Sequence, residues 1–195
     1  VTGVVQASGS GNILTVGGMA GRIYGDSYVY NIYSNASIYA TGVGISGNDD
    51  YLIIGGIVGL AYNSLFVNTF SDSSIYSYGT AISYYIGGIA GDSPTSIFRK
   101  TVALGTIVAD TGIYDYGTIY VGGLFGLFES EVQCGFSEIS FEITTDDNAY
   151  GFDVKLADIY SIPYDDALLF EVYVSHKQIY KINGIIINDN EMLNL

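Results

Sequence analysis

Three pairs of adjacent aspartates are the residues of this 195-residue chain whose type best suits carboxylate chemistry. They are Asp49-Asp50, Asp146-Asp147 and Asp165-Asp166. Neighbouring side chains on a strand point to opposite faces, so such a pair converges on one target only within a loop. The oxygen-rich stretches around the first two pairs suit calcium, but neither has the spacing of an EF-hand. Because Asn, Asp and Gly favour turns, we expect solvated turns here and no metal site.

Two other reactive side chains occur once each, His176 and Cys134. His176 has no suggested Ser or Cys partner, and its position in VYVSHKQIYKI fits a turn between strands. Acid–base catalysis needs a second group within hydrogen-bond reach. Cys134 occupies a strand position within a repeat. This position favours a thiol that is packed against its neighbours or is unreactive, and not a nucleophile. The sequence therefore predicts a non-enzymatic protein with no catalytic residue and no cofactor.

A glycine-rich apolar hexapeptide recurs four times and sets the organisation of the chain. The copies are VGGMAG at 16–21, IGGIVG at 54–59, IGGIAG at 86–91 and VGGLFG at 121–126. Their first glycines are 38, 32 and 35 residues apart, and this variation indicates loop insertions between fixed strands. Glycine at one place per copy removes Cβ where the chain bends or where sheets approach closely. A phosphate loop is excluded because no copy continues into Lys followed by Ser or Thr.

Strand segments downstream of each hexapeptide align in columns of apolar residues. The columns are Val29, Phe66, Phe98 and Val132, then Tyr33, Phe70, Val102 and Phe136, then Ile38, Ile75, Ile107 and Phe141. Mixed residues stand between them, which indicates period-two alternation with these columns on one buried face. Such a unit cannot bury its apolar face alone, so stacked units must share a core. We predict an all-β fold, a β-solenoid of the parallel β-helix type with about four coils over residues 1–147.

The pattern [VI]-G-G-[ILM]-x-G, followed by an N-x-aromatic-S strand, resembles the GLUG repeat of secreted bacterial surface proteins. The best matches are 54–75 and 16–38, within a resemblance that covers about residues 1–145. Lys100 and Cys134 replace the asparagine in the third and fourth copies. The family includes adhesins and non-catalytic regions of IgA-protease-like metallopeptidases. The resemblance implies an extracellular, structural or adhesive repeat region, and it supplies no catalytic residue.

The two ends of the sequence carry separate expectations. Residues 1–18 align with 40–56 through a shared Thr-Gly, which predicts an open first coil, either truncated at Val1 or completed by another chain. The repeat stops near residue 147, and 148–195 is predicted to form a small β cap or a module that links subunits. Its Asn-Gly between apolar runs is a strong hairpin signal, because Asn-Gly accepts a type I′ turn. The residues of this expected assembly hairpin are Ile179, Ile182, Asn183, Gly184, Ile185 and Ile187.

Tyrosine is the residue type whose distribution most suggests an interaction surface, with 19 in the chain. Tyr39 and Tyr76 align between copies, and Tyr78, Tyr114 and Tyr116 lie near the same corner. Aromatic ladders can form flat platforms for sugar rings or for partner strands. The alternative, which we favour, is that they only stabilise the sheet, since repeats produce such stacking automatically.

The net charge of −14, with six Lys and Arg against twenty Asp and Glu, argues against nucleic acid and anionic membranes as partners. The longest apolar stretch, 51–62, is shorter than the ~20 residues of a transmembrane helix. We expect an extracellular or cell-surface spacer, or a filament subunit that stacks head to tail on itself or on neighbouring domains. The alternatives are an adhesin that binds glycans or proteins through its tyrosine columns, and a solenoid enzyme that acts on carbohydrate.

Overall fold

The computed structural model shows a β-solenoid of about four coils, which confirms the predicted fold class. The residues that the structure describes are 1–10, 12–43, 50–79, 83–111, 117–145, 152–157, 168–175, 179–182 and 185–187. Within these ranges the regular structure is entirely β-strand, and there is no helix that could cross a membrane.

Each coil contributes one strand to each of three parallel sheets, which we call sheets A, B and C. Sheet A contains the long strands β1 (Thr2–Ser10), β4 (Ser27–Val43), β7 (Ser64–Gly79), β10 (Ile97–Thr111) and β13 (Glu131–Thr145). Sheet B contains β2 (Ile13–Gly17), β5 (Tyr51–Gly55), β8 (Ser83–Gly87), β11 (Gly117–Gly122) and β14 (Phe152–Ala157). Sheet C contains β3 (Ala20–Ile23), β6 (Val58–Ala61), β9 (Ala90–Ser93) and β12 (Phe125–Phe128).

Three further strands extend sheet A beyond the fourth hexapeptide. β15 (Leu168–Val174) pairs with the first part of β13, and β16 (Ile179–Ile182) pairs with its second part, both in parallel. β17 (Ile185–Ile187) pairs with β16 in the antiparallel direction, as the hairpin prediction requires. The turn residues of that hairpin lie outside the described part of the chain.

The first strand enters sheet A in a register that differs from the sequence alignment. β1 pairs Thr2 with Asn35 and not with Thr41, so the alignment through Thr-Gly is wrong. The alignment failed because the coils differ in length between sheets A and B. Two residues separate β1 from β2, whereas seven separate β4 from β5.

The repeated glycine pair makes the turn from sheet B to sheet C, as predicted. A Cβ atom on Gly55 would stand 2.6 Å from the carbonyl oxygen of Ile89 and 2.7 Å from the Cα of Ala90, both in the next coil. A Cβ on Gly87 would meet the corresponding two backbone atoms one coil further on, at 2.7 Å each. Side chains cannot occupy so short a gap, so glycine lets each turn rest directly on the backbone of the next coil.

The core lies between the inner faces of the three sheets. Phe66 and Phe98 stack across neighbouring coils with ring centroids 4.6 Å apart, and Phe98 also packs against Phe125 of sheet C at 4.7 Å. Another predicted column is buried throughout, and its members are Ile38, Ile75, Ile107 and Phe141. Burying each of these side chains contributes about 1.5–3 kcal/mol. Stacked coils therefore share a single apolar core, as the repeat pattern indicated.

One predicted column lies on the outer face of sheet A, so the expectation that it is buried is wrong. Its members pair in the predicted register, and they are Tyr33, Phe70, Val102 and Phe136. The cause is one left-handed residue in each long strand, two positions earlier. The φ angles are 56° at Asn31, 56° at Asn68, 55° at Lys100 and 58° at Cys134. This residue shifts the alternation by one position. Thr69 and Thr101 consequently point into the core, where their hydroxyl oxygens lie 3.0 Å apart in a hydrogen bond.

Candidate functional site

The outer face of sheet A carries exposed aromatic side chains along its length. Among the described residues of this face, the exposed tyrosines are Tyr28, Tyr30, Tyr33, Tyr39, Tyr78 and Tyr173. Tyr28 keeps 74% of its surface accessible, and Tyr173, at the opposite end of the sheet, keeps 65%. Large aromatic side chains on a flat sheet form a surface on which another ring or chain can lie. This face is the candidate interaction surface of the molecule.

Three of the five tyrosines predicted as a platform lie together on this face. Tyr39 and Tyr76 are direct neighbours in β4 and β7, and their rings stack with centroids 4.7 Å apart and planes 8° from parallel. Tyr78 lies two residues beyond Tyr76 and is 39% exposed. Tyr114 and Tyr116 lie outside the described residues. The stack both supports the sheet and leaves part of each ring accessible, so the two interpretations of the sequence are compatible here.

A longer aromatic and aliphatic stripe crosses the same face and was missed because the sequence pattern placed it inside. Its members, one from each of five neighbouring strands, are Tyr33, Phe70, Val102, Phe136 and Tyr173. The rings of Tyr33 and Phe70 are tilted with centroids 5.3 Å apart. The asparagine two positions before the aromatic residue was the one sequence signal for this placement, because asparagine tolerates left-handed backbone.

A polar column runs beside this stripe and consists of the left-handed residues. Asn68 Nδ2 donates a hydrogen bond of 2.9 Å to Asn31 Oδ1. Further along, the Cys134 thiol donates to Glu171 Oε2 at 3.2 Å. Glu171 has a φ of 53°, so β15 repeats the bend of the four earlier strands. Lys100 occupies the coil between these two hydrogen-bonded pairs.

The environment of Cys134 makes it a poor nucleophile. Its thiol is exposed. The hydrogen bond to Glu171, together with desolvation and the negative charge of that carboxylate, raises the pKa of the Cys134 thiol, while Lys100 acts in the opposite direction. A raised pKa means less thiolate, and the thiolate is the reactive form of cysteine. The thiol therefore serves as a hydrogen-bond donor between coils.

The remaining predicted residues are placed as follows. Asp50 is buried, so the expectation of a solvated turn is wrong for this residue, and its backbone carbonyl accepts a hydrogen bond of 3.0 Å from the backbone N–H of Ser83. Ile179, Ile182, Ile185 and Ile187 of the expected assembly hairpin lie in β16 and β17. The residues that fall outside the described part of the chain are Asp49, Asp146, Asp147, Asp165, Asp166, His176, Asn183 and Gly184. Among the described residues, no three His, Cys, Asp or Glu side chains come together as a metal site.

Comparison with protein-family profiles, with curated proteins and with solved structures returns no match for this chain. Function is therefore argued from the solenoid and its surfaces. The outer face of sheet A carries alternating aromatic and polar columns, and its long strands keep one register from coil to coil on both sides of the left-handed residue. Such an arrangement suits mechanical support and surface contact.

Proposed function

We propose that this chain is a non-enzymatic β-solenoid segment of an extracellular or cell-surface protein, which acts as a rigid spacer or as a subunit that stacks on itself. The observation that carries this proposal is the continuity of sheet A. Its central strands are 15 to 17 residues long and pair in register through successive coils. Bending the axis would strain many of these hydrogen bonds at once, so the coils behave as one body. The resemblance of the repeats to GLUG repeats supports the extracellular setting.

The edge formed by β1 supports the self-stacking form of the proposal. Within the described residues β1 pairs with β4 on one side only, and its other edge is open. An open edge presents N–H and C=O groups to which another strand can add. Val4 on this strand is 70% exposed, which adds apolar surface to the same edge.

Electron microscopy and light scattering of the purified chain, over a series of salt concentrations, test this proposal. Self-stacking predicts filaments whose axial repeat equals one subunit, and more of them at higher salt, because the net charge of −14 repels neighbouring copies at low salt. A spacer predicts rod-shaped monomers at every salt concentration. Small-angle X-ray scattering that shows a flexible particle would contradict both forms.

An adhesive module is the second candidate function, and the exposed ring stack of Tyr39 and Tyr76 favours it. The two rings cover each other's faces, so the pair offers its ring edges and hydroxyl groups to a sugar, and tyrosine hydroxyls can both donate and accept hydrogen bonds. Binding to an array of surface glycans should be lost in the double variant Tyr39→Ala, Tyr76→Ala. Tyr62→Ala, which removes an exposed tyrosine at the corner beyond sheet C, should bind like the unmodified chain. Equal glycan binding by all three proteins would rule out this use of the platform.

A further inference from the structure

A groove of about 300 Å³ lies between sheets B and C on the side away from the core. Sheet B lines it with Ile13, Tyr51, Ile53 and Tyr85, and sheet C lines it with Arg22, Leu60, Asp92 and Leu127. The walls are therefore largely aliphatic and aromatic, with one carboxylate and one guanidinium group. The groove is on a different surface from the tyrosine platform of sheet A, and neither proposed function uses it.

Asp92 is the unusual residue of this groove. Its Oδ1 atom is buried and has no hydrogen-bond partner in the described part of the chain. The backbone N–H of Ser93 donates to the carboxyl group. Burial, and then the negative charge of Glu129, raise the pKa of Asp92 to about 7. A buried carboxylate oxygen without a donor is costly. The Oδ1 atom itself is closed off from solvent, but Asp92 as a whole is only half-buried and lines the groove, so its carboxyl group can be approached from there.

The positive charge in the groove does not neutralise Asp92. Along sheet C, Asp92 lies opposite Leu60 in one neighbouring strand and opposite Leu127 in the other. Arg22 is opposite Leu60, so it is two coils from Asp92, about 10 Å along the axis. The Arg22 Nε atom donates instead to Thr15 Oγ1 at 2.9 Å. Among the described side chains, no cation therefore pairs with Asp92.

We propose that this groove binds a primary ammonium group carried on an aliphatic stem, with the Asp92 carboxylate accepting a hydrogen bond from the ammonium. The stem would lie on Leu60 and Leu127, in the way that the stem of a lysine covers apolar surface. The Tyr85 ring also lines the groove and lies between the neighbouring rings of Tyr51 and Tyr120. Lysine side chains of a partner protein and free alkylamines share this chemistry.

Two other cations fit the groove less well. A guanidinium group is best bound by two acceptor atoms of one carboxylate, and the carboxyl group of Asp92 already accepts a hydrogen bond from Ser93. A metal ion needs several oxygen, nitrogen or sulfur ligands, and no suitable group of such side chains is present among the described residues. An ammonium group needs only one free acceptor and leaves its remaining donors to water.

The charge of Asp92 gives the binding a pH dependence. Among the described residues, the titratable and charged side chains of the groove are Arg22 on β3, Tyr24, which follows β3, Tyr51 on β5 and Tyr85 on β8, and Glu129, which follows β12, also acts on Asp92. Since the ammonium pairs with the ionised carboxylate, binding competes with the proton on Asp92. The affinity for the amine should therefore rise about tenfold between pH 6 and pH 8, a range centred on the pKa of about 7.

Methyl-detected NMR titration with n-pentylammonium chloride tests the proposal, with n-pentanol as the uncharged control of the same length. We expect saturable shifts of the Leu60 and Leu127 methyl groups with the ammonium compound only, and a Kd that falls with pH as stated. Nα-acetyl-lysine N-methylamide tests the protein source. If it binds as tightly as pentylammonium, a lysine side chain is the natural ligand. If only the free alkylamine binds, the ligand is a small molecule.

Three variants make the result specific to the groove. Asp92→Asn keeps the shape and removes the charge, so it should weaken amine binding at least about tenfold at pH 8. Asp72→Asn, an exposed carboxylate on sheet A, is the matched control and should leave the Kd unchanged. Glu129→Gln should weaken binding by about twofold to fivefold at pH 8, because it removes a more distant charge. The comparison of pH 6 with pH 8 in the unmodified chain keeps the test valid if Asp92→Asn does not fold.

Several outcomes would overturn the proposal. Equal binding of pentanol and pentylammonium would show a merely apolar groove. An unchanged Kd in Asp92→Asn, or a Kd in the unmodified chain that is the same at pH 6 and pH 8, would show that the carboxylate is not the acceptor. The absence of saturable shifts at pH 8, or a long-lived water at Asp92 that no amine displaces, would show that the groove holds solvent.

Discussion

At the scale of single residues, one backbone conformation decides which side chains of the long strands reach the core. The left-handed residue falls at Asn31 and Asn68 in two coils and at Lys100 and Cys134 in the next two. Asparagine tolerates this conformation because its short side chain hydrogen-bonds locally, whereas other residues pay about 1–2 kcal/mol for it. The two coils without asparagine therefore keep the left-handed conformation at Lys100 and Cys134, although these residue types disfavour it.

Replacing Lys100 with Asn should stabilise the protein by about 1 kcal/mol, because the new residue suits the left-handed backbone. It should also extend the asparagine ladder, since Lys100 lies beside Asn68 in the register of β7 and β10. Urea unfolding of Lys100→Asn measures the change. Arg99→Asn is the matched control, since it removes the same charge from an adjacent exposed position outside the left-handed region. Equal stabilisation by both variants would assign the effect to charge.

Asp92 should make the protein less stable as the pH rises. Its carboxyl group ionises near the ordinary value of 3.8 in the unfolded chain and near 7 in the folded chain, so the folded state binds more protons between these values. Stability is therefore lost from about pH 4 to about pH 7 and does not return above it. At pH 8, Asp92→Asn should be more stable than the unmodified chain by up to roughly 4 kcal/mol.

Unfolding of Asp92→Asn by urea at a series of pH values checks this expectation. Near pH 3.5 the two proteins should have almost equal stability, because Asp92 is then largely uncharged in both the folded and the unfolded state. Asp72→Asn, whose carboxylate is exposed, should show no such divergence with pH. Parallel pH profiles for Asp92→Asn and the unmodified chain would show that the folded carboxyl group is not shielded from water.

The sequence predicted the buried columns but not the residues that matter most on the surface. The Phe66–Phe98 stack and the buried isoleucine column follow from apolar periodicity. The outward position of Tyr33 could not follow from periodicity, because a single left-handed residue changes the phase of the strand without changing its composition. Asp92 was missed because it lies in the stretch GDSP, which has the composition of a turn. Its burial arises where sheets B and C meet across several coils, and a local sequence pattern does not show this.

At the scale of the elements, the turn between sheets B and C is the most constrained part of each coil. Two residues make this turn in all four copies, and they begin at Gly18, Gly56, Gly88 and Gly123. The backbone of the neighbouring coil occupies the space beside the glycines. Because this close packing requires glycine in every coil, the hexapeptide is similar in all four copies. The sequence alone therefore predicted a turn or a close contact at this position.

Gly55→Ala should destabilise the protein by about 3 kcal/mol or more, because its methyl group would overlap the carbonyl oxygen of Val58 in its own coil and the backbone of the next coil. Circular dichroism during urea unfolding measures this loss. Gly9→Ala is the matched control, since the nearest atom to its added Cβ is Leu14 Cδ1 at 3.6 Å, an ordinary contact. If Gly9→Ala cost as much stability as Gly55→Ala, the close approach of the coils would not be the cause.

At the scale of the whole molecule, the coils are interchangeable units in a one-dimensional stack. Ser64 and Ser96 occupy equivalent positions, because the next residues, Leu65 and Ile97, pair directly. Residues 64–95 therefore make one complete coil that begins and ends at the same corner. Each repeat in such a stack contacts only its neighbours, so removing a whole unit should leave the others able to pair.

Deletion of residues 64–95 should give a shorter solenoid that still folds. Its urea m-value should fall by roughly a sixth, in proportion to the surface exposed on unfolding. Circular dichroism and urea unfolding check both points. Deletion of residues 64–79, which removes β7 alone and breaks the coil, should instead prevent cooperative folding. Two deletions with the same outcome would contradict the equivalence of the coils.

The segments between sheets A and B have a consequence for how such a protein can be altered. The lengths of sequence that join successive strands at this corner are two, seven, three, five and six residues. All five join the same two sheets, one per coil, with neighbouring coils about 4.8 Å apart. Length can therefore change along this single edge while every strand keeps its partner. The described strand ends that flank these segments follow one another from coil to coil, so foreign peptides inserted between them would be displayed at the spacing of the coils.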